Sequence, residues 1–182
     1  TELLCCVPPA TAETVREMRT SLMSLHKPWT TRNTAAGEAL TLEQLHDRVQ
    51  VFSMIFTHCG YACPKTVENM KAIEAGLPAG LRDRVGFVLV TMDTARDSIA
   101  RLREFATEKG LDGHFTLLRG TDAQVRTLSL LLNVQYARLA NGEFSHSNVM
   151  VVLDEAGQMA TRIEGLDIDA GAAAAQIAAV VR

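Results

Sequence analysis

The 182-residue chain has no hydrophobic run near the roughly 18–20 residues that cross a bilayer. It also lacks a Lys/Arg-rich block, and with a formal net charge of −3 it offers no footprint for nucleic acid. Cysteine is too sparse for a disulfide scaffold: four residues, Cys5 beside Cys6, then Cys59 and Cys63. Aromatic residues make up only 5% of the chain, and no proline follows Pro78. What remains is ordinary for a globular protein, with 47% apolar and 21% charged residues, enough for one domain with a short appended segment.

The chain starts at Thr1 rather than Met. Its opening Leu3-Leu4-Cys5-Cys6-Val7 is read as a frayed terminus, with the tail of an export or anchor segment as the alternative. The spacing of Val15, Met18, Leu22 and Leu25 predicts a helix over 11–25, broken at Pro28. Residues 1–28 are therefore taken as an N-terminal segment and 29–182 as the domain. Thr41 and Gln44 have capping-box spacing. Apolar runs predict strands at 49–56, 84–92, 115–118, 149–153 and 159–163, the last two joined by a turn at Asp154–Gly157. Helices are expected from Pro64 to about Ala75, from Thr94 to Lys109, from Thr121 to Leu132, and after Asp169. The order β-α-β-α-β-α-β-β-α is an α/β arrangement: a central mixed sheet flanked by helices, ending in a hairpin and helix. It is the thioredoxin-like order.

Thr57-His58-Cys59-Gly60-Tyr61-Ala62-Cys63-Pro64 lies where a buried strand turns into a helix. Sites in open α/β sheets form at that edge. The helix N-terminus carries free N–H groups and a positive dipole end, which predicts a lowered pKa at Cys59 or Cys63. The three-residue gap between the cysteines lets both sulfurs face one external ion. Two soft thiolates suit copper(I), zinc or an iron–sulfur centre. With only two cysteines in the body, the last of these and a four-cysteine zinc site fall away, and a third ligand must come from elsewhere. His146, just before the strand at 149–153, is the best candidate, because in a thioredoxin fold that loop faces the cysteines. The fold's disulfide enzymes carry a proline there, and this chain has none. His58 reads as a loop residue, and His26, His46 and His114 as surface residues. Met54, Met92 and Met150 read as core. Asp93 ends a strand at the same edge and reads as a helix cap or as a group supporting the ligands.

In this order, Thr57 to Pro64, Asp93-x-x-Arg96-Asp97, His146-Ser147 and Asp154-x-x-Gly157 resemble the motifs of the Sco/SenC family. The resemblance covers roughly Trp29 to Gly165. It implies a thioredoxin-like fold that binds copper(I) or copper(II) through Cys59, Cys63 and His146. It also implies a metallochaperone for the copper A site of cytochrome c oxidase subunit II. The implied place is the periplasm, with a membrane tether through a missing N-terminal segment. A thiol-disulfide oxidoreductase acting on the same partner through Cys59 and Cys63 is the alternative. A peroxide-reducing enzyme is disfavoured, because the Pro-x-x-x-Thr-x-x-Cys pattern is missing. Three features depart from the family: Ser145 stands where Asp is frequent, Ser98-Ile99 replace a proline near Asp97, and the region before Trp29 has no counterpart.

Overall fold

The computed structural model describes residues 29–31, 39–45 and 47–182. The helix expected over 11–25, and Cys5, Cys6, His26 and His46, lie outside the described residues. Nine strands are described: β1 Trp29–Thr31, β2 Ala39–Leu40, β3 Val49–Ile55, β4 Val85–Thr91, β5 Phe115–Arg119, β6 Tyr136–Arg138, β7 Phe144–His146, β8 Val149–Leu153 and β9 Met159–Glu164. Four helices accompany them: α1 Ala62–Gly76, α2 Ile99–Lys109, α3 Asp122–Leu131 and α4 Ala170–Ala178. Short 3-10 turns occupy Leu42–Leu45 and Ala79–Arg84.

Seven strands form one mixed sheet in the order β2-β1-β5-β4-β3-β8-β9. β3, β4 and β5 are parallel, while β1, β8 and β9 pair antiparallel with their neighbours. Every residue of β3, β4 and β8 is buried, which is why these runs show no polar alternation. Phe87 on β4 stacks on Phe115 of β5, with ring centres 5.0 Å apart. Gln50 and Ser53 are the polar exceptions on β3, and Gln50 is held by the backbone. It sits opposite Gly86 and donates from Nε2 to the Leu45 carbonyl at 2.8 Å. A Cβ at position 86 would lie 2.3 Å from Gln50 Oε1, so any larger residue there must displace the Gln50 amide.

Local signals account for most helix ends. Thr121 caps α3 in a full capping box with Gln124, and Asp169 caps α4 by accepting the Ala172 N–H at 3.0 Å. α1 starts two residues before Pro64. The helix expected from Thr94 begins only at Ile99, where Ser98 accepts the Arg101 N–H at 3.1 Å. Residues 93–98 form a turn instead. Two carboxylates, Asp93 and Asp97, hold that turn through side-chain bonds that compete with helix.

The parallel strands bring three loops to one edge: the cysteine loop after β3, the turn after β4 and the start of α3 after β5. β8 runs the other way, so its first residue also lies there, and Ser53 Oγ donates to the Val149 carbonyl at 3.1 Å. The segment just before β8 therefore arrives over the cysteine loop.

Candidate metal centre

That segment is a two-stranded hairpin, β6–β7, which the sequence reading missed. Tyr136 pairs with His146 and Arg138 with Phe144. Its turn closes with the Leu139 N–H on the Glu143 carbonyl at 2.7 Å, and Gly142 takes φ 82°, a left-handed conformation that suits glycine. The hairpin has no ladder to the main sheet among the described residues.

The structure brings Cys63 and His146 together, with Cys63 Sγ 3.9 Å from His146 Nε2. His146 Nδ1 lies 3.1 Å from the Ser147 carbonyl. A carbonyl only accepts, so Nδ1 carries the proton and the Nε2 lone pair faces the sulfur. Burial pulls the His146 pKa below its ordinary value, only partly offset by the Ser147 carbonyl. The imidazole is neutral at neutral pH, the form that binds a metal. An open cleft lined by Tyr136, Ser145 and His146 makes it reachable from the hairpin side. Ser145 is exposed on β7, where successive side chains alternate between faces, so the serine replacing the family's Asp turns away from the imidazole.

The two cysteines differ. Cys63 is fully buried on the first turns of α1, while Cys59 is partly exposed. Cys59 Sγ accepts the Cys63 N–H at 3.4 Å, and Cys63 Sγ accepts the Phe56 N–H at 3.4 Å. At Cys63 the outcome is the reverse of the expected lowered pKa. Burial raises it strongly, and the Phe56 N–H does not compensate.

Asp97 holds the cysteine loop from the β4 side. Its buried carboxylate accepts the Thr57 N–H at 3.0 Å, the Thr57 hydroxyl at 2.6 Å and the Thr91 hydroxyl at 2.5 Å. A buried charge needs such partners. His58 is exposed, with Nδ1 3.5 Å from Asp97 Oδ1. Asp93 is also buried, but its recorded partners are not the cysteines. It pairs with Arg96 and, at 3.2 Å, with Arg138 on β6. Asp93 caps no helix, since Ser98 caps the helix at Ile99; its Oδ1 instead accepts the Arg96 N–H at 3.3 Å within the turn. His114, read as a surface residue, is instead half-buried between Glu74 at 2.6 Å and Asp83 at 3.2 Å, away from this edge.

A strand-to-helix loop with a Cys-x-x-x-Cys pair, its Cys63 faced by a histidine from the segment before an antiparallel strand, defines a thioredoxin-like protein; the donor atoms of Cys59, Cys63 and His146 do not all lie within 4.8 Å of one another. The model of the SCO1/SenC family matches residues 19–182, and the chain belongs to that family. The match begins upstream of Trp29, where the resemblance was placed. A curated protein of Stutzerimonas stutzeri, whose name provisionally assigns copper binding, is 28% identical over 126 residues. That alignment covers 67% of this chain and 61% of the relative. The fold matches Bradyrhizobium japonicum ScoI with copper bound at TM-score 0.71 and 19% identity, covering 85% of this chain and 97% of that one. It matches a SCO1/SenC family lipoprotein from Bacillus anthracis str. Ames at TM-score 0.74 and 20% identity, covering 84% and 91%. Among the described residues, no helix is long and apolar enough to cross a membrane.

Proposed function

We propose that this protein is a copper chaperone that holds one copper(I) or copper(II) ion through Cys59, Cys63 and His146 and passes it to a partner copper protein. The single observation that carries this reading is the position of His146 Nε2, 3.9 Å from Cys63 Sγ, with the other ring nitrogen 3.1 Å from the Ser147 carbonyl. Two sulfurs and one neutral imidazole form a soft set suited to copper(I). Cys63 supplies a buried sulfur, while His146 on its open cleft and the partly exposed Cys59 are the donors a partner's ligands can reach. The client chemistry that fits is another thiolate- and imidazole-rich copper site, and the copper A centre of cytochrome c oxidase subunit II is the proposed recipient. A periplasmic place, with a tether to the membrane, goes with that client.

One observation favours a second activity at the same pair. An accessible Cys59 beside a buried Cys63 suits thiol-disulfide exchange. The Cys59 thiolate would attack a partner disulfide, releasing one partner thiol. Cys63 would then displace the second, leaving the Cys59–Cys63 disulfide and a partner reduced by two electrons.

Copper(I) titration of the reduced protein and of Cys59→Ala, Cys63→Ala and His146→Ala tests the ligand set, with the oxidised protein measured alongside. One copper per reduced chain is expected, weakened in each variant and lost on oxidation, which removes both thiolates. Unchanged affinity in all three variants would sink the reading. Disulfide reduction that survives His146→Ala while copper binding fails would separate the two activities.

A further inference from the structure

The β6–β7 hairpin poses a physical question, because it carries His146 but joins no other strand among the described residues. A lone two-stranded hairpin is marginal in water, so side chains must fix where the imidazole sits. Those side chains converge on the turn after β4. Arg138 of β6 reaches the buried Asp93 carboxylate at 3.2 Å, and its guanidinium carbon lies 4.9 Å from the ring centre of Phe144 on β7. Phe144 packs at 5.3 Å on Phe56, and the Phe56 ring meets His146 edge-on at 6.1 Å. At the hairpin's turn, next to the Arg138–Phe144 pair, Arg96 donates to the Gly142 carbonyl at 2.7 Å while its Nε holds Asp93. Two guanidinium groups thus share one buried carboxylate, and both grip the hairpin. Charge-assisted bonds of this kind are directional as well as strong.

The same turn holds the other half of the site. Asp97 accepts the backbone and hydroxyl protons of Thr57, two residues before Cys59. The turn is itself locked to β5, with Arg119 donating to the carbonyls of Asp97 at 3.0 Å and Thr94 at 2.7 Å.

We propose that the turn Asp93–Asp97 is a yoke that sets His146 against the cysteine loop, and that Arg138 is a positioning residue for copper acting through His146. This rests on the ligand set proposed above. Arg138 reaches the Asp93 carboxylate and the Phe144 ring, not the cysteines. Its effect on copper must therefore pass through the hairpin.

The test is a double-mutant cycle on copper(I) affinity, measured by competition with a bicinchoninate chelator. It uses the parent, Arg138→Ala, His146→Ala and the double variant, all fully reduced. Arg138→Ala is expected to weaken binding by about 10- to 100-fold, as loss of an outer-sphere partner does. In the His146→Ala background the same substitution should change nothing further. Arg138→Lys, which keeps the charge facing Asp93, should recover part of the loss, and the copper(II) EPR spectrum of Arg138→Ala should lose its single well-defined imidazole signature. Arg96→Ala, which frees the hairpin turn beside Arg138, should weaken binding in the same His146-dependent way. An equal loss with and without His146 would show a merely structural role and overturn the proposal, as would unchanged affinity in Arg138→Ala. A parent that binds no copper would overturn the ligand set and the yoke with it. A parent that binds tightly beside an unaffected Arg138→Ala overturns the yoke alone.

Discussion

Cys63 Sγ and His146 Nε2 stand 3.9 Å apart although 83 positions separate them in the chain. Both groups are shifted by burial in the direction that favours neutrality: the thiol is pushed up and the imidazole down. Around neutral pH the reduced site therefore holds a protonated Cys63 beside a neutral His146. Copper must expel the Cys63 proton, but none from His146.

Copper affinity should then fall as the medium is acidified, by about tenfold per pH unit for each proton displaced. Below the lowered His146 pKa the imidazole protonates too, and the slope should steepen. Competition titrations carried down from neutral pH to well below 6.5 would show the break, and His146→Ala should remove it. The copper-free protein has its own profile. A folded thiol pKa above the unfolded 9.0 means that stability drops as pH rises past 9.0, where only the unfolded chain ionises. A folded imidazole pKa below the unfolded 6.5 means that His146 makes stability drop as pH falls through 6.5 toward the folded value. A copper affinity independent of pH across this range would contradict the burial argument.

His114 should behave in the opposite sense. Its pKa is raised, first by the hydrogen bond to Glu74 and then by Asp83, so the folded state favours the imidazolium. Its stabilisation is fully present below the unfolded value of 6.5 and disappears as pH rises through the higher folded value. His114→Gln should cost roughly 1 kcal/mol or less in acid, since the Asp83 partner is exposed and screened. Melting curves of parent and variant should converge as the pH is raised. Curves that diverge on raising the pH would refute the ion-pair account.

Gly86 and Gln50 should prove energetically coupled. An alanine at 86 collides with Gln50 Oε1, which forces the amide off its bond to the Leu45 carbonyl in a buried place. Gly86→Ala should cost about 1–3 kcal/mol, through overpacking and a stranded polar group. The cost should shrink in Gln50→Ala/Gly86→Ala, where the obstruction is gone. Urea unfolding of the four proteins gives the coupling, and strict additivity would show that the approach of the two strands is not the constraint.

Sequence alone determined the elements whose signals lie within a few residues of one another. The buried runs of β3, β4 and β8 were visible because a strand covered on both faces needs unbroken apolar residues. The Thr121–Gln124 capping box was visible because both partners sit in one turn. The cysteine pair was placed at a strand-to-helix turn for the same local reason, and the family resemblance pointed to His146. Three things were decided only by the tertiary structure. The β6–β7 hairpin has strands of three residues, too short for either period to register. The helix expected from Thr94 lost its first turn to Asp93 and Asp97, whose partners Arg138 and Thr57 are far away in the chain. The direction of the Cys63 pKa also could not be read from its place at a helix start. Desolvation depends on everything packed around a group, and here it outweighs the hydrogen bond from the Phe56 N–H.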